Sequence, residues 1–226
     1  YGNETVIPAG GGPRLNAFRA FVSNDNWCYQ PWFNNGLHNL QHKAVDAQVI
    51  KEKNGNVILT FTVVSQAPNA ARLQSKNGRY DSGLHTLEES KDRPFGDDDF
   101  KFTTNQVWTI YADGSIELQA AITSSNPGLV LARLGYEMQV PAKMDQLSYY
   151  GRGPIDNYND RKTGQFIEQY KSTVADEFVN FPKPQQMGNH EETRWVSLTN
   201  KAGKGLLVVN EKPYAVSALN HSAMDM

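Results

Sequence analysis

The chain has 226 residues, with 22 Lys and Arg against 24 Asp and Glu for a formal charge of −2. That balance offers no electrostatic footprint for nucleic acid or an anionic membrane surface, and no apolar run approaches the ~20 residues of a membrane-spanning helix. One cysteine, Cys28, excludes a disulfide framework and a Cys-based zinc site.

The dominant period is two. Residues 44–51 and 56–64 read as strands joined at Asn54-Gly55, a pair that tolerates the positive φ of a type I′ turn. Segment 35–46 is expected to hold one or two helical turns. Residues 101–112 turn at Asp113-Gly114 into 115–124, where Ile116, Leu118, Ala120 and Ile122 alternate with polar neighbours. Further strands are expected at 129–140, 145–150, 164–171, 193–200, 205–210 and 213–220. Segments 1–35, 66–99 and 172–192 read as irregular. The pattern predicts an all-β chain, a single antiparallel β-sandwich over 1–226 with long loops. The alternative is two small β domains divided near 125–129. The chain starts at Tyr1 and stops abruptly at Met224-Asp225-Met226, so it reads as a piece of a longer polypeptide. No charged-then-apolar leader marks the compartment, which leaves cytoplasm and periplasm both open.

Tests for chemistry by residue type return little. There is no Gly-x-Ser-x-Gly elbow, no P-loop and no complete dinucleotide-binding glycine pattern. His38 and His42 stand four apart, but Asn39 follows the first where a metalloprotease needs Glu, so they read as ordinary histidines. Asp97-Asp98-Asp99 lacks the alternating spacing of a calcium loop and reads as a solvated turn. No carboxylate sits in a setting that marks one of a glycosidase pair. The triplets at Asn3 and Asn220 fit glycosylation acceptors by pattern alone.

Three clusters stand out. The first, Asn24 to Gly36, packs Trp27, Tyr29, Trp32 and Phe33 among Asn and Asp. Sugar sites pair such groups, because an aromatic face stacks on a pyranose while amides and carboxylates bond its hydroxyls. A loop anchoring its aromatics in its own core has the same composition. The second runs from Tyr149 to Arg161 through Gly151-Arg152-Gly153-Pro154 and reads as a structural corner in which Asp160-Arg161 pairs or fixes carbonyls. The third, Pro182 to Trp195, fits either a polar loop lining a cleft or a plain crossover.

Together these clusters resemble the C-terminal domain, or small chain, of the large β-galactosidases of glycoside hydrolase family 2. Gly151, Gly153, Pro154, Tyr158, Asp160 and Arg161 are similar to the family's Gly-x-Gly-Pro-x-Glu-x-Tyr-x-Asp-Arg motif. Arg19-Ala20 with Asn24-Asp25, and Pro184-Gln185 with Gly188 and Arg194-Trp195, resemble two further family segments. Asp156, Gln186, Met187, Phe21 and Ser23 depart from the pattern.

The resemblance implies a galactose-mutarotase-like supersandwich. It also implies the last domain of a retaining β-galactosidase whose catalytic glutamates lie in a central (β/α)₈ barrel outside this chain. On that reading the chain is inactive alone and has no catalytic residue. It supports the barrel and lines the sugar pocket with Asn24, Asp25, Asn26 and Trp27. It holds no cofactor; Mg and Na belong to other domains of full-length relatives. Its partners are the remaining parent domains and a β-galactoside, with self-association through open sheet edges. Two other readings compete. One is a stand-alone carbohydrate-binding module with Trp27, Tyr29 and Trp32 as its platform. The other is a mutarotase-class epimerase using His85 or His190, although no spacing pairs either with a Glu.

Overall fold

A computed structural model describes residues 4–75, 85–182 and 185–226, apart from the side chains of Ser23, Asn26, Ser75 and His85. Strands hold 49% of the residues and helices 6%, so the chain is all-β, with antiparallel sheets, as its alternation predicts. Among the described residues no helix is long and apolar enough to cross a membrane. The described residues fall into two compact units, 14–19 with 23–136, and 4–13 and 20–22 with 137–226.

The first unit carries β1 (Arg14–Asn16), helix α1 (Tyr29–Asn34), β2 (Gln41–Lys51), β3 (Val57–Gln66), β4 (Asn69–Ser75), β5 (His85–Pro94), β6 (Phe102–Ile110) and β7 (Ile116–Ser124). Its main sheet has the order β2-β3-β6-β7. The register aligns Val49, Leu59, Trp108 and Leu118 in one row and Ala47, Phe61, Gln106 and Ala120 in the next. Their neighbours along each strand, such as Gln48, Thr60 and Gln119, fall on the opposite, more polar face, because side chains alternate. At one end the apolar face is closed, with Ser65, Phe102 and Thr104 fully buried; at the other, Val49 and Ile116 are 63% and 60% exposed.

The second unit is built on β9 (Gln146–Gly153), β10 (Phe166–Thr173), β11 (Asn189–Thr199) and β12 (Gly205–Ser217), in the order β10-β9-β11-β12. Leu147, Tyr149 and Val196 form its core, with Tyr170, Leu198, Val208, Tyr214 and Val216 packed around them. The burial follows from register, since Tyr170, Tyr149, Val196 and Val208 share one row.

Three hairpins share one turn. Backbone bonds close Glu52 on Asn56, Tyr111 on Ser115 and Asn200 on Lys204, leaving three-residue loops. Gly55, Gly114 and Gly203 each take a left-handed φ at the third loop position, a conformation costly for any residue with a Cβ. The side chains of Asn54, Asp113 and Asn200 then accept backbone N–H groups across the turn. The two-residue type I′ turn expected at Asn54-Gly55 is therefore a three-residue loop, in which only the glycine goes left-handed.

Other elements also differ from the sequence expectation. Segment 66–99 contains the β4–β5 hairpin, whose polar strands show no clear alternation. Of 129–140 only β8 (Gly135–Glu137), paired with β1, is strand. The Val130 carbonyl is taken instead by the indole of Trp32. Segments 205–210 and 213–220 are one strand: residues 210–213 of β12 stand where β11 carries only Arg194, and Pro213 has no N–H for the ladder. The helical turns expected in 35–46 shrink to Leu37–Asn39, because β2 begins at Gln41.

Candidate functional site

A 3₁₀ turn at Ser23–Trp27 leads into α1. Tyr29, Trp32 and Phe33 have the i, i+3, i+4 spacing of one helix face, and that face is buried, with exposures of 1–2%. Phe18 meets Trp32 and Phe33 edge-on at 6.4 and 5.5 Å. The Trp32 indole N–H donates to the Val130 carbonyl at 2.9 Å. The helix thus pins the turn before it, and Trp27 is left 73% exposed.

The four residues expected to face sugar divide in two. Trp27 and Asn24 are open to solvent. Asp25 is buried, and its two carboxylate oxygens accept from the two terminal nitrogens of Arg19 at 2.9 Å each. The same guanidinium lies 5.8 Å from the Trp32 ring. Asp25 therefore anchors the turn. The side chain of Asn26 lies outside the described residues. Burial of Tyr29 and Trp32 removes two of the three rings proposed as a flat carbohydrate platform, because their apolar area is spent on the unit's own core. Burial, with Asp25 nearby, pushes the Cys28 thiol above its ordinary value.

His38 and His42 do not share a helix. His38 packs against Phe33, at 5.0 Å between ring centroids, and burial lowers its pKa; His42 bonds Ser65 from β2. Among the described residues no group of three His, Cys, Asp or Glu could hold a metal ion. Asp97–Asp99 is a turn, in which Asp99 accepts the Gly96 N–H and pairs with Arg93.

In the second unit the glycine-rich motif welds two segments together. β9 runs straight through Gly151 and Gly153. A Cβ on Gly151 would meet Thr193 of β11, Oγ1 at 2.5 Å and Cα at 2.9 Å, so only glycine fits. Asn157 is fully buried. Its amide donates to the Arg152 and Ile155 carbonyls, and its Oδ1 accepts the Glu191 N–H. Asn189 returns the contact by donating to the Asn157 carbonyl at 2.7 Å. Arg161 pairs with Asp156 rather than with its neighbour Asp160. Arg152 and Lys162 converge on Glu192 at 3.1 Å each and hold its carboxyl below the ordinary range.

Gln186, Met187, Asn189 and His190 are 1–4% exposed, so the third cluster is a buried crossover rather than a cleft wall. Pro184 and Lys183 lie outside the described residues, as do Asn3 and the side chain of His85. The structure does bring His190 to a Glu, which spacing had not paired with it. Its Nε2 lies 2.7 Å from Glu177 and its Nδ1 3.1 Å from the Arg152 carbonyl, with the ring stacked 4.2 Å from Tyr149. Both ring nitrogens are occupied and both side chains are buried, so the pair offers no sugar a catalytic face. No short motif joins His190 to Glu177, 13 residues earlier in a crossover, and Asn157 sits at an unspecified position of the family motif. Neither had a local signal.

The whole chain, residues 1–226, matches the family model for the β-galactosidase small chain. The chain belongs to that family. It is similar to a beta-galactosidase of Halalkalibacterium halodurans, 26% identical over 216 residues covering 92% of this chain and 18% of the relative. A beta-galactosidase of Priestia megaterium is 31% identical over 120 residues, 53% of this chain and 12% of the relative. One from an Arthrobacter species is 25% identical over 206 residues, 87% and 18% respectively. The small-chain match therefore spans less than a fifth of each of these relatives.

Proposed function

We propose that this chain is a C-terminal domain of a retaining β-galactosidase, with a galactose-mutarotase-like fold, that supports a separate catalytic domain and lends one wall to its sugar pocket. The observation that carries the reading is the match of the small-chain family over residues 1–226, in a chain whose alignments span less than a fifth of the beta-galactosidases it resembles. Trp27 supplies the stacking surface and Asn24 a polar contact. The Arg19–Asp25 pair and the buried face of α1 set their position, so the wall is preorganised. Asp25 acts through that placement and transfers no proton.

Two measurements test the reading. The 226-residue chain alone is expected to hydrolyse no aryl β-galactoside; turnover abolished by replacing one of its own carboxylates would overturn it. In the longer polypeptide, Trp27→Ala is expected to raise KM about fivefold, the size of one aromatic contact, with a smaller effect on kcat. An unchanged KM would remove Trp27 from the pocket.

A further inference from the structure

Edge strands expose unpaired N–H and C=O groups, and proteins guard them with lysine, proline, charge or a bulge. Three outer strands of the two four-stranded sheets are guarded. β2 carries Lys43, Lys51 and a register shift between Ala44 and Asp46. β12 carries Lys212, Pro213 and its own register shifts. β10 carries Glu168 and Lys171. The fourth, β7, has no basic residue, no proline and an unbroken register along all nine residues; its one charge, Glu117, lies next to its start.

The bonding parity of β7 is legible from both ends. Tyr111 and Ser115 form the bonded pair that closes the turn, and Ser125 donates to the Lys101 carbonyl at the far end. Bonded and non-bonded pairs alternate in an antiparallel ladder, so residues 117, 119, 121 and 123 bond inward to β6. Ile116, Leu118, Ala120, Ile122 and Ser124 then turn their backbone groups to the outer edge, where no described strand pairs with β7. The same five side chains lie on the sheet's apolar face, in rows with Trp108 and Gln106.

We propose that β7 is a self-association edge that takes β7 of a second copy of this chain, antiparallel, about a two-fold axis through Ala120. Ala120 is the middle of the strand, and the axis pairs outward-facing residues only with each other, Leu118 with Ile122 and Ala120 with Ala120. It also sets Glu117 opposite Thr123, so no like charges meet. The two copies make one eight-stranded sheet with a continuous apolar face. A partner sequence of another kind would have to reproduce this charge and parity match, which the chain already has with itself.

Hydrogen-bonded antiparallel partners lie about 5.5 Å apart at Cα, within disulfide range. The test is sedimentation of the 226-residue chain with air oxidation of Ala120→Cys and, on the outer edge of β2, Val49→Cys; native Cys28 is buried. The expected result is a dimer in which Ala120→Cys forms the intermolecular disulfide and Val49→Cys does not. Ala120→Pro, which removes two outward-facing N–H donors per dimer, is expected to weaken association about tenfold. A monomer throughout the micromolar range, or equal cross-linking of the two cysteine variants, overturns the proposal. If Ala120→Pro unfolds the chain, the cysteine pair still decides.

Discussion

Asn157 is expected to be worth several ordinary polar residues. It is fully buried and makes three side-chain bonds, donating to the Arg152 and Ile155 carbonyls at 3.0 Å and accepting the Glu191 N–H at 2.9 Å. Asn157→Ala removes all three, taking their shown partners from the Ile155 carbonyl and the Glu191 N–H and leaving the Arg152 carbonyl facing His190 Nδ1. At about 1 kcal/mol net per bond the loss is about 3 kcal/mol, a large share of the 5–15 kcal/mol typical of a folded domain. Asn54→Ala is the control. It loses bonds to Asn56 and Glu52, but on an exposed turn where water replaces them, so the cost stays within about 0.5 kcal/mol. Urea unfolding of both variants measures the difference. Hydrogen exchange should show protection lost around Glu191 in Asn157→Ala alone. Equal losses in the two variants would refute the claim that burial, rather than the number of bonds, sets the cost.

Four further outcomes are expected. Gly151→Ala should cost about 1–3 kcal/mol in urea unfolding, because the new methyl meets Thr193 backbone as well as side chain. Asp25→Asn, which removes the negative charge paired with the largely buried Arg19, should cost about 2–3 kcal/mol, and quenching should show the environment of Trp27 altered. Glu192 has its pKa lowered by Arg152 and Lys162, so its contribution is complete above the ordinary 4.5 and is lost as pH falls through the lowered value; Glu192→Gln should flatten that acid limb. His38 has its pKa lowered by burial, so the unfolded chain takes up its proton first, and stability falls as pH drops below the ordinary 6.5; His38→Gln should remove that slope from a thermal-melt series.

Much of the fold was legible because strand alternation and turn chemistry are local. The two pairs of strands around Asn54-Gly55 and Asp113-Gly114 are where the pattern places them, since each needs only its own residues and one glycine. Non-local bonding was not legible. The run at 129–140 has strand composition, yet Val130 gives its carbonyl to Trp32, 98 residues earlier. The polar β4–β5 hairpin carries no alternation to read, although its strands pair.

At the candidate site, the residue types of a sugar-facing loop were visible in Asn24 to Gly36, but which of them face solvent was not. Composition assigns Trp27, Tyr29 and Trp32 equal standing. Helix periodicity turns two of them inward, and an ion pair across six residues takes Asp25 with them.

By itself the sequence determined the all-β class, the hairpin positions, stabilisation without an internal disulfide framework and the kinship carried by the motif from Gly151 to Arg161. Each follows from residue type and short spacing. Only the tertiary structure decided that this motif is a buried weld around Asn157, that Trp27 is the exposed aromatic of its cluster, and that β7 is an outer strand of its sheet among the described residues. Burial, pairing and strand order depend on which distant segments meet, and no local pattern encodes that.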